Sequence, residues 1–417
     1  MSAEGTLEAL AFELTADTAV LLFENGQTTE RTIASARKVA AALRFAADVY
    51  LRWGEVDVRL EGGEAGPQER LSAAAPLGMD MGKVAATLAA IEKLRRGELD
   101  ARATEAALRA VAHQPPISDT HFAVFAAAGA VALSVIFGVM HVSAGIVIAL
   151  SAAAGGYLRR WLGRRSHNPL LQPFGAALLA GAVGSLARYM GLEEPQQLVA
   201  VCPCMVLVPG PHILNGALDL ARARIPLGAA RIGYAILIVL MICAGLLLGL
   251  SLGGATLPVV GPSATVPLAL DVLAAGVAVA AYGTFFAMPA RMLPLPILVG
   301  MVAHGARWAA IAIAGVNVEA AALLACLIVG GVVTPLADKM RLPFAAVAFA
   351  SVVALIPGVY VFRMAEGFLR LAVAGAQTPP EVLAGTLADG ITALLITLSM
   401  AFGLILPKVC IERLTRH

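Results

Sequence analysis

Four polar residues stand at helical spacing in an otherwise apolar stretch. His212, Asn215, Asp219 and Arg222 fall at i, i+3, i+7 and i+10, which puts them on one face of a helix. A carboxylate inside an apolar segment is costly and usually marks a pathway, so Asp219 reads as a group that carries a proton or holds a substrate ammonium. An interfacial ion pair with Arg222 or Arg224 is the competing reading. Asn215 suits a hydrogen bond to a carboxylate or hydroxyl, or to a neighbouring helix. A second set lies further on. His304 and Arg307 are one turn apart near the middle of an apolar segment, and suit an anionic group, a proton relay, or backbone carbonyls. Asp271 and Asp389 sit near segment starts, where stabilisation of a helix N-terminus explains them as well as transport does. His121 and His141, near segment ends, read as interfacial.

The element that positions the first set is broken. The run from Leu198 is strongly apolar but meets Pro209-Gly210-Pro211 after little more than ten residues, whereas a membrane-spanning helix needs about 20. Proline removes a backbone donor and clashes with the preceding turn, so the helix ends there and a polar-faced one follows. Freed carbonyls at such a break are tolerated in lipid only where protein or water satisfies them. The polar face is therefore expected to line a wet cavity. A second break occurs at Pro357-Gly358, after the apolar run from Pro343, at an offset of 148. At that offset His212 falls on Tyr360, Asn215 on Arg363 and Arg222 on Arg370, while Asp219 falls on Gly367, next to Glu366. Paired discontinuous helices are how many transporters build a site near the bilayer midplane.

Composition agrees. Of 417 residues 59% are hydrophobic and 14% charged, against roughly 25% charged in soluble domains. The net charge of +2, with no concentrated basic stripe, argues against a nucleic-acid partner. Residues 1–115 hold 17 of the 28 acids and 13 of the 30 Lys and Arg, so a polar N-terminal domain precedes a basic membrane part. The first 20 residues carry four acids and no basic n-region, unlike a signal peptide. The five cysteines lie in or beside apolar segments, and Cys202-Pro203-Cys204 has the wrong spacing for a redox pair or zinc knuckle. They read as buried free thiols.

The expected fold is mainly helical. Residues 1–116 form a small α+β domain: two helices separated at Asn25-Gly26, with Thr28 or Thr29 opening the second, a hairpin over 48–60, a loop over 61–70, and helices near 81–96 and 103–113. Residues 117–255 and 256–417 each hold five spans, ten in all, the fourth and ninth broken. The stretches 178–192 and 328–342 share Gly, Val, Leu, Ala, Met and Leu at an offset of 150. Five is odd, so the second repeat enters the membrane inverted. The Arg159–Arg165 loop sets orientation by the positive-inside rule. Arg222, Arg224, Arg231, Arg291, Lys339, Arg341, Lys408, Arg413 and Arg416 then fall on the cytoplasmic side. Glu193, Glu194, the Ser251–Thr265 linker and Glu319 fall outside, and both termini are cytoplasmic.

These features resemble the threonine/serine exporter family of bacterial inner-membrane carriers. The stretches LLFENGQTTERTIASARKVAAAL and MDMGKVAATLAAIEKLRRGELDARATEAALRAVAHQPP are similar to its soluble helices, and Pro209-Gly210, Asn215, Asp219, Gly228 and Arg231 carry its most specific motif. The resemblance implies export of threonine, serine and similar small solutes, driven by the proton motive force. Some relatives, with the halves on separate chains, are associated with dicarboxylate export. The family usually has a Gly-Asp pair where this chain has Ala223-Arg224. A basic vestibule favours anions, which keeps dicarboxylates as the alternative substrate.

The candidate pathway residues are thus Pro209, Gly210, His212, Asn215, Asp219, His304, Arg307, Pro357, Gly358, Tyr360 and Arg363. The partners expected are a small-molecule substrate, protons and a lipid bilayer, with homo-oligomerisation open and no cofactor or metal called for. No serine-histidine, paired-aspartate or HExxH set lies at membrane depth, which argues against an intramembrane enzyme. A passive channel stays open as an alternative, and a plain anchor would not need ten spans.

Overall fold

A computed structural model describes residues 3–61, 68–189, 196–257, 266–340 and 342–414. Helices α1 (Ala3–Glu24) and α2 (Thr29–Ala42) are separated where the sequence places the stop. Gly26 takes φ 88°, the left-handed geometry that ends a helix, and Gln27 N–H closes back on Leu22 O at 3.0 Å. Three antiparallel strands follow in the order β1 (Ala46–Arg52), β2 (Gly54–Glu61) and β3 (Gln68–Ala74). The third strand corrects the sequence reading, which takes 61–70 as loop. Its residues QERLSAA lack β-branched side chains and so carry little strand signal, but β2 recruits them by pairing Leu60 with Gln68, and Arg59 meets Glu69 across the strands at 2.9 Å. Helices α3 (Met81–Arg95) and α4 (Ala101–Ala112) are each opened by an aspartate. Asp80 accepts from Lys83 N–H at 2.9 Å and Asp100 from Ala103 N–H at 2.7 Å.

Among the described residues twelve α-helices follow: α5 (Asp119–Ile136), α6 (Val142–Arg165), α7 (Leu171–Tyr189), α8 (Gln196–Met205), α9 (Gly210–Ala221), α10 (Ile225–Ser251), α11 (Leu268–Phe285), α12 (Pro294–Ala312), α13 (Val318–Met340), α14 (Phe344–Val352), α15 (Gly358–Ala374) and α16 (Pro380–Leu414). Seven of them are long and apolar enough to cross a membrane, or up to nine spans if each bent pair counts as one. The pairs are the expected ones, bent by 52° between α8 and α9 and by 63° across the break before α15. The tenth expected span corresponds to α7, whose apolar part, Leu171–Ala187, is shorter than the rest. The chain is a multi-pass membrane protein.

The helices pack in matching pairs. α7 lies along α10 as α13 lies along α16, and the contacts of α5 with α6, α6 with α7 and α9 with α10 recur as α11 with α12, α12 with α13 and α15 with α16. α5 against α11 joins the two sets. Lipid gives helices no hydrophobic reason to associate, so close packing and polar contacts hold them; Ser185 of α7, for example, donates to Leu250 O of α10 at 2.7 Å. Every residue of α14 is buried, so this half-helix meets protein on all sides.

Two expectations need adjustment. Cys202, Cys204, Cys243 and Cys326 are buried free thiols, but Cys410 is exposed near the end of α16. Glu193, Glu194, Arg341, Arg416 and part of the Ser251–Thr265 linker, which enter the charge reading, lie outside the described residues.

Candidate functional site

Pro209, with φ −85° and ψ 56°, ends the extended link from α8 and opens α9; Pro357, with φ −78° and ψ 34°, does the same for α15. The glycine after each proline touches the opposite break. A Cβ on Gly210 would fall 1.5 Å from Cζ of Phe349 in α14, and one on Gly358 would fall 3.0 Å from Cγ of Met205 in α8. The two breaks therefore interlock at the centre of the bundle.

Beyond the first break, α9 turns His212, Asn215 and Asp219 to one side, as the spacing requires. They are 6%, 1% and 2% exposed. The expected wet cavity is not what they face: the N-terminal domain covers them. Thr29 Oγ1 donates to Asp219 Oδ2 at 2.9 Å, and Asn215 Nδ2 donates to Gly26 O at 3.1 Å. The His212 ring stands edge-on to Tyr234 of α10, 5.2 Å between centroids, and Tyr234 in turn lies 5.2 Å from Trp53 of the β1–β2 turn. Asp219 is an ion-pair member, but not chiefly with the residues expected. Arg224 Nη1 is 3.5 Å from Oδ1, while Arg222, the cap of α9, pairs with Glu30 of α2 instead.

The closest cation to Asp219 is Arg231, with Nε 3.2 Å from Oδ2. Charge counting gives Arg231 a side of the membrane but not a depth; it is 0% exposed, with its guanidinium 5.3 Å from the centre of the Phe23 ring. Its position seventh in the apolar helix α10, and its place in the motif that carries the family resemblance, are the signals that could have found it. The Asp219 contact has ion-pair distance without hydrogen-bond alignment, so Nε, Nη1 and Nη2 all lack a hydrogen-bond partner. Asn215 Oδ1 and His212 Nδ1 are likewise buried without one. Buried polar atoms are normally satisfied. Five unfilled positions on three adjacent side chains form a site with donors for an anion and acceptors for a cation.

The second break carries a different cluster. His304 Nδ1 is 2.6 Å from Asp271 Oδ2, both residues under 5% exposed, while His304 Nε2 is buried without a partner. Arg307, one turn along α12, interacts electrostatically with Asp271 and Tyr360. Arg363 of α15 grips Asp389 of α16 through two bonds of 2.7 and 3.0 Å and lies 5.8 Å from the Tyr360 ring centre. Asp271 and Asp389 are therefore paired acids, not simple helix-start charges. Glu366, beside the Asp219 equivalent, pairs with Arg370 at 3.0 Å. His121 and His141 are exposed. Among the described residues, no group of three or more His, Cys, Asp or Glu could hold a metal ion.

Outside the bilayer, Glu24 at the end of α1 has its carboxyl pushed above the usual range by burial, with a backbone hydrogen bond from Ala75 and the charge of Lys83 opposing.

Comparison with known proteins gives no match among curated proteins or solved structures. Two family descriptions do match: threonine/serine exporter over residues 13–253, and Threonine/Serine exporter, ThrE, over residues 271–410. Together they span the N-terminal domain, both breaks and both clusters, and the chain belongs to the threonine/serine exporter family.

Proposed function

We propose that the chain is a secondary-active exporter of small zwitterionic metabolites, threonine and serine first, driven by the proton motive force. The observation that carries this reading is the buried Asp219–Arg231–Asn215 set with its unfilled hydrogen-bonding positions. A guanidinium whose three nitrogens make no hydrogen bond suits a carboxylate, which it can grip through two parallel bonds. The Asp219 carboxylate and Asn215 Oδ1 suit an ammonium or hydroxyl. An α-amino acid offers both ends on neighbouring atoms.

The second cluster suits the coupling proton. With Asp271 ionised, His304 Nδ1 carries the hydrogen of their bond, which leaves Nε2 as a buried acceptor. The oxygens of Asp219, the carrier expected from sequence, already have Thr29, Arg224 and Arg231 beside them. We assign Asp219 to substrate and His304 to the proton.

The architecture proposed is ten spans in two inverted five-helix repeats, 117–255 and 256–417, in a bacterial inner membrane with the N-terminal domain and C-terminus cytoplasmic. The recurrence of helix pairs and the similar backbone at Pro209 and Pro357 support it. Dicarboxylate export is the second reading. It is favoured by a cleft of about 730 Å³ lined by Glu30, Arg37, Arg222, Arg224 and Arg413 beside the site.

The test is uptake into inside-out vesicles with an acid interior. Labelled threonine should accumulate, and dissipation of the gradient should stop it. Accumulation of succinate alone would put the second reading first, and downhill flux with no response to the gradient would indicate a channel.

A further inference from the structure

The N-terminal domain has no assigned role, yet its α1–α2 turn sits directly on the site. Its contacts reach both sets of membrane helices. On the first, Gly26 O and Thr29 Oγ1 engage Asn215 and Asp219, Glu30 pairs with Arg222, and the Phe23 ring packs under Arg231. On the second, Arg31 Nη1 donates to Leu342 O at 2.8 Å, before α14, and Met81 N–H donates to Phe286 O at 2.8 Å, at the end of α11. A domain held to both sets, through its α1–α2 turn, α2 and the start of α3, fits one relative arrangement of them, and alternating access changes that arrangement.

The turn is also built to dock as a fixed piece. Gly26 backs onto Met79, so closely that a Cβ there would fall 1.9 Å from Sδ, and Asn25 O accepts from Asp80 N–H at 3.3 Å. Thr28 and Thr29 stand where a helix start normally uses hydroxyls to cap its own N–H groups. Neither serves that way: the Thr28 side chain makes no capping bond, and the Thr29 hydroxyl is given to Asp219. The turn thus presents a carbonyl to the Asn215 amide and a hydroxyl to the Asp219 carboxylate. A hydroxy amino acid offers the same two groups.

We propose that the α1–α2 turn is the inner gate of this exporter, closing the site by filling Asn215 and Asp219 with Gly26 O and the Thr29 hydroxyl, so that cytoplasmic substrate must displace it. The displacement half of this statement rests on the substrate reading above; the gate itself does not. The cleft beside Glu30, Arg222 and Arg224 gives substrate its approach.

The test reports on the turn without needing transport. Thr28 is 4% exposed in the seated turn. The full chain carrying Cys410→Ser and Thr28→Cys, in inside-out vesicles, is alkylated with a membrane-impermeant maleimide, and the rate is followed. Glu30→Arg sets two cations against each other and should raise the rate about three- to tenfold, the range expected for losing and reversing a partly exposed pair. Glu30→Arg with Arg222→Glu restores the pair and should bring the rate back, which separates gate opening from misfolding. Saturating threonine should raise the rate in the parent. A Glu30→Arg rate equal to the parent's overturns the gate, as does a rate that stays high in the double variant. If Glu30→Arg accelerates labelling, the double variant reverses it and threonine has no effect, the gate stands and the threonine assignment falls. In a second arm, Glu30→Cys and Arg222→Cys joined by a short bifunctional thiol reagent should stop gradient-driven uptake. A joined protein that transports at the parent's rate overturns the gate as well.

Discussion

The two breaks share a backbone and differ in what covers them. Each opens after a proline of similar geometry, and each glycine touches the other's half-helix. Beyond the first, the polar face meets the α1–α2 turn, and Arg231 and Asn215 keep unfilled hydrogen-bonding positions. Beyond the second, the polar face meets other membrane helices: Arg363 and Asp389 satisfy each other, as do Glu366 and Arg370. Among the described residues of that cluster, His304 Nε2 is the buried atom left open. Two breaks of similar backbone thus sit in different surroundings. In one half Arg363, Asp389, Glu366 and Arg370 are paired with one another; in the other, donors and acceptors on Arg231, Asn215 and His212 stay unfilled, the contrast on which the substrate proposal rests.

The largest test of this contrast is to change the key side chains of each cluster separately. Breaking a buried ion pair on one side costs about 3–5 kcal/mol. Asp219→Asn and Arg231→Ala should each lower threonine accumulation by on the order of 10²–10³-fold, and each should also abolish threonine-dependent protection or displacement at the site. His304→Gln leaves shape and a hydrogen-bonding side chain but no proton acceptor of the same kind. It should eliminate accumulation against a gradient while threonine exchange across the vesicle membrane survives. If His304→Gln still accumulates threonine with the parent's pH response, and Asp219→Asn exchanges but does not accumulate, the two assignments are to be swapped.

A smaller effect separates the breaks sterically. Gly210→Ala puts a methyl group 1.5 Å from the ring of Phe349, which is 4% exposed and has little room to move. Overpacking of that kind costs about 1–3 kcal/mol and sometimes more. Gly358→Ala meets the flexible Met205 side chain at 3.0 Å and should cost less than about 1 kcal/mol, since a methionine adjusts readily. Thermal stability in detergent would show Gly210→Ala well below Gly358→Ala. Equal losses would mean the two breaks are not tied together at unequal tightness.

Much of this was legible from residue type and spacing. Proline and glycine inside apolar runs located both breaks to the residue, because the backbone rules they obey are local. The i, i+3, i+7 spacing placed His212, Asn215 and Asp219 on one side for the same reason. What covers that side was not legible, since Thr29 and Asp219 are 190 residues apart in the chain. The burial of Arg231 against Asp219 was not legible either, because counting positive charges assigns a side of the membrane and says nothing of how deep a side chain lies. The third strand was missed because its residues fit a strand only once β2 supplies a partner. For Asp271 and Asp389 helix-start stabilisation and transport stay equal readings in the sequence, because their partners, His304 and Arg363, come from other helices.

The smallest prediction concerns Ala223, between the site and the next helix. The chain ends α9 at Ala221 and turns back into α10, and Ala223 takes φ 57° to do so. A side chain with a Cβ pays about 1–2 kcal/mol in that region, because the Cβ crowds the following carbonyl, whereas glycine has none. The family usually carries glycine at this position, and with it an acid at the next, so the chain keeps the turn while losing both residues that suit it. The turn persists because its ends are held: Arg224 N–H closes on Asp219 O at 2.9 Å and Ala223 N–H on Leu220 O at 3.0 Å. Ala223→Gly should therefore stabilise the protein by about 1 kcal/mol, slightly less than the full relief because glycine also frees the unfolded chain. The same change at the second break has no counterpart, because α15 runs on past Arg370 without such a turn. A measured destabilisation would mean that the Ala223 methyl makes packing contacts worth more than the backbone strain. Arg224→Asp, made alone, sharpens the other half of the comparison. It places an acid beside Asp219 and leaves Arg231 as that carboxylate's nearest cation, so threonine uptake should change less than any succinate uptake, which should fall. A larger fall for threonine would make Arg224, not Arg231, the cation that meets the substrate carboxylate.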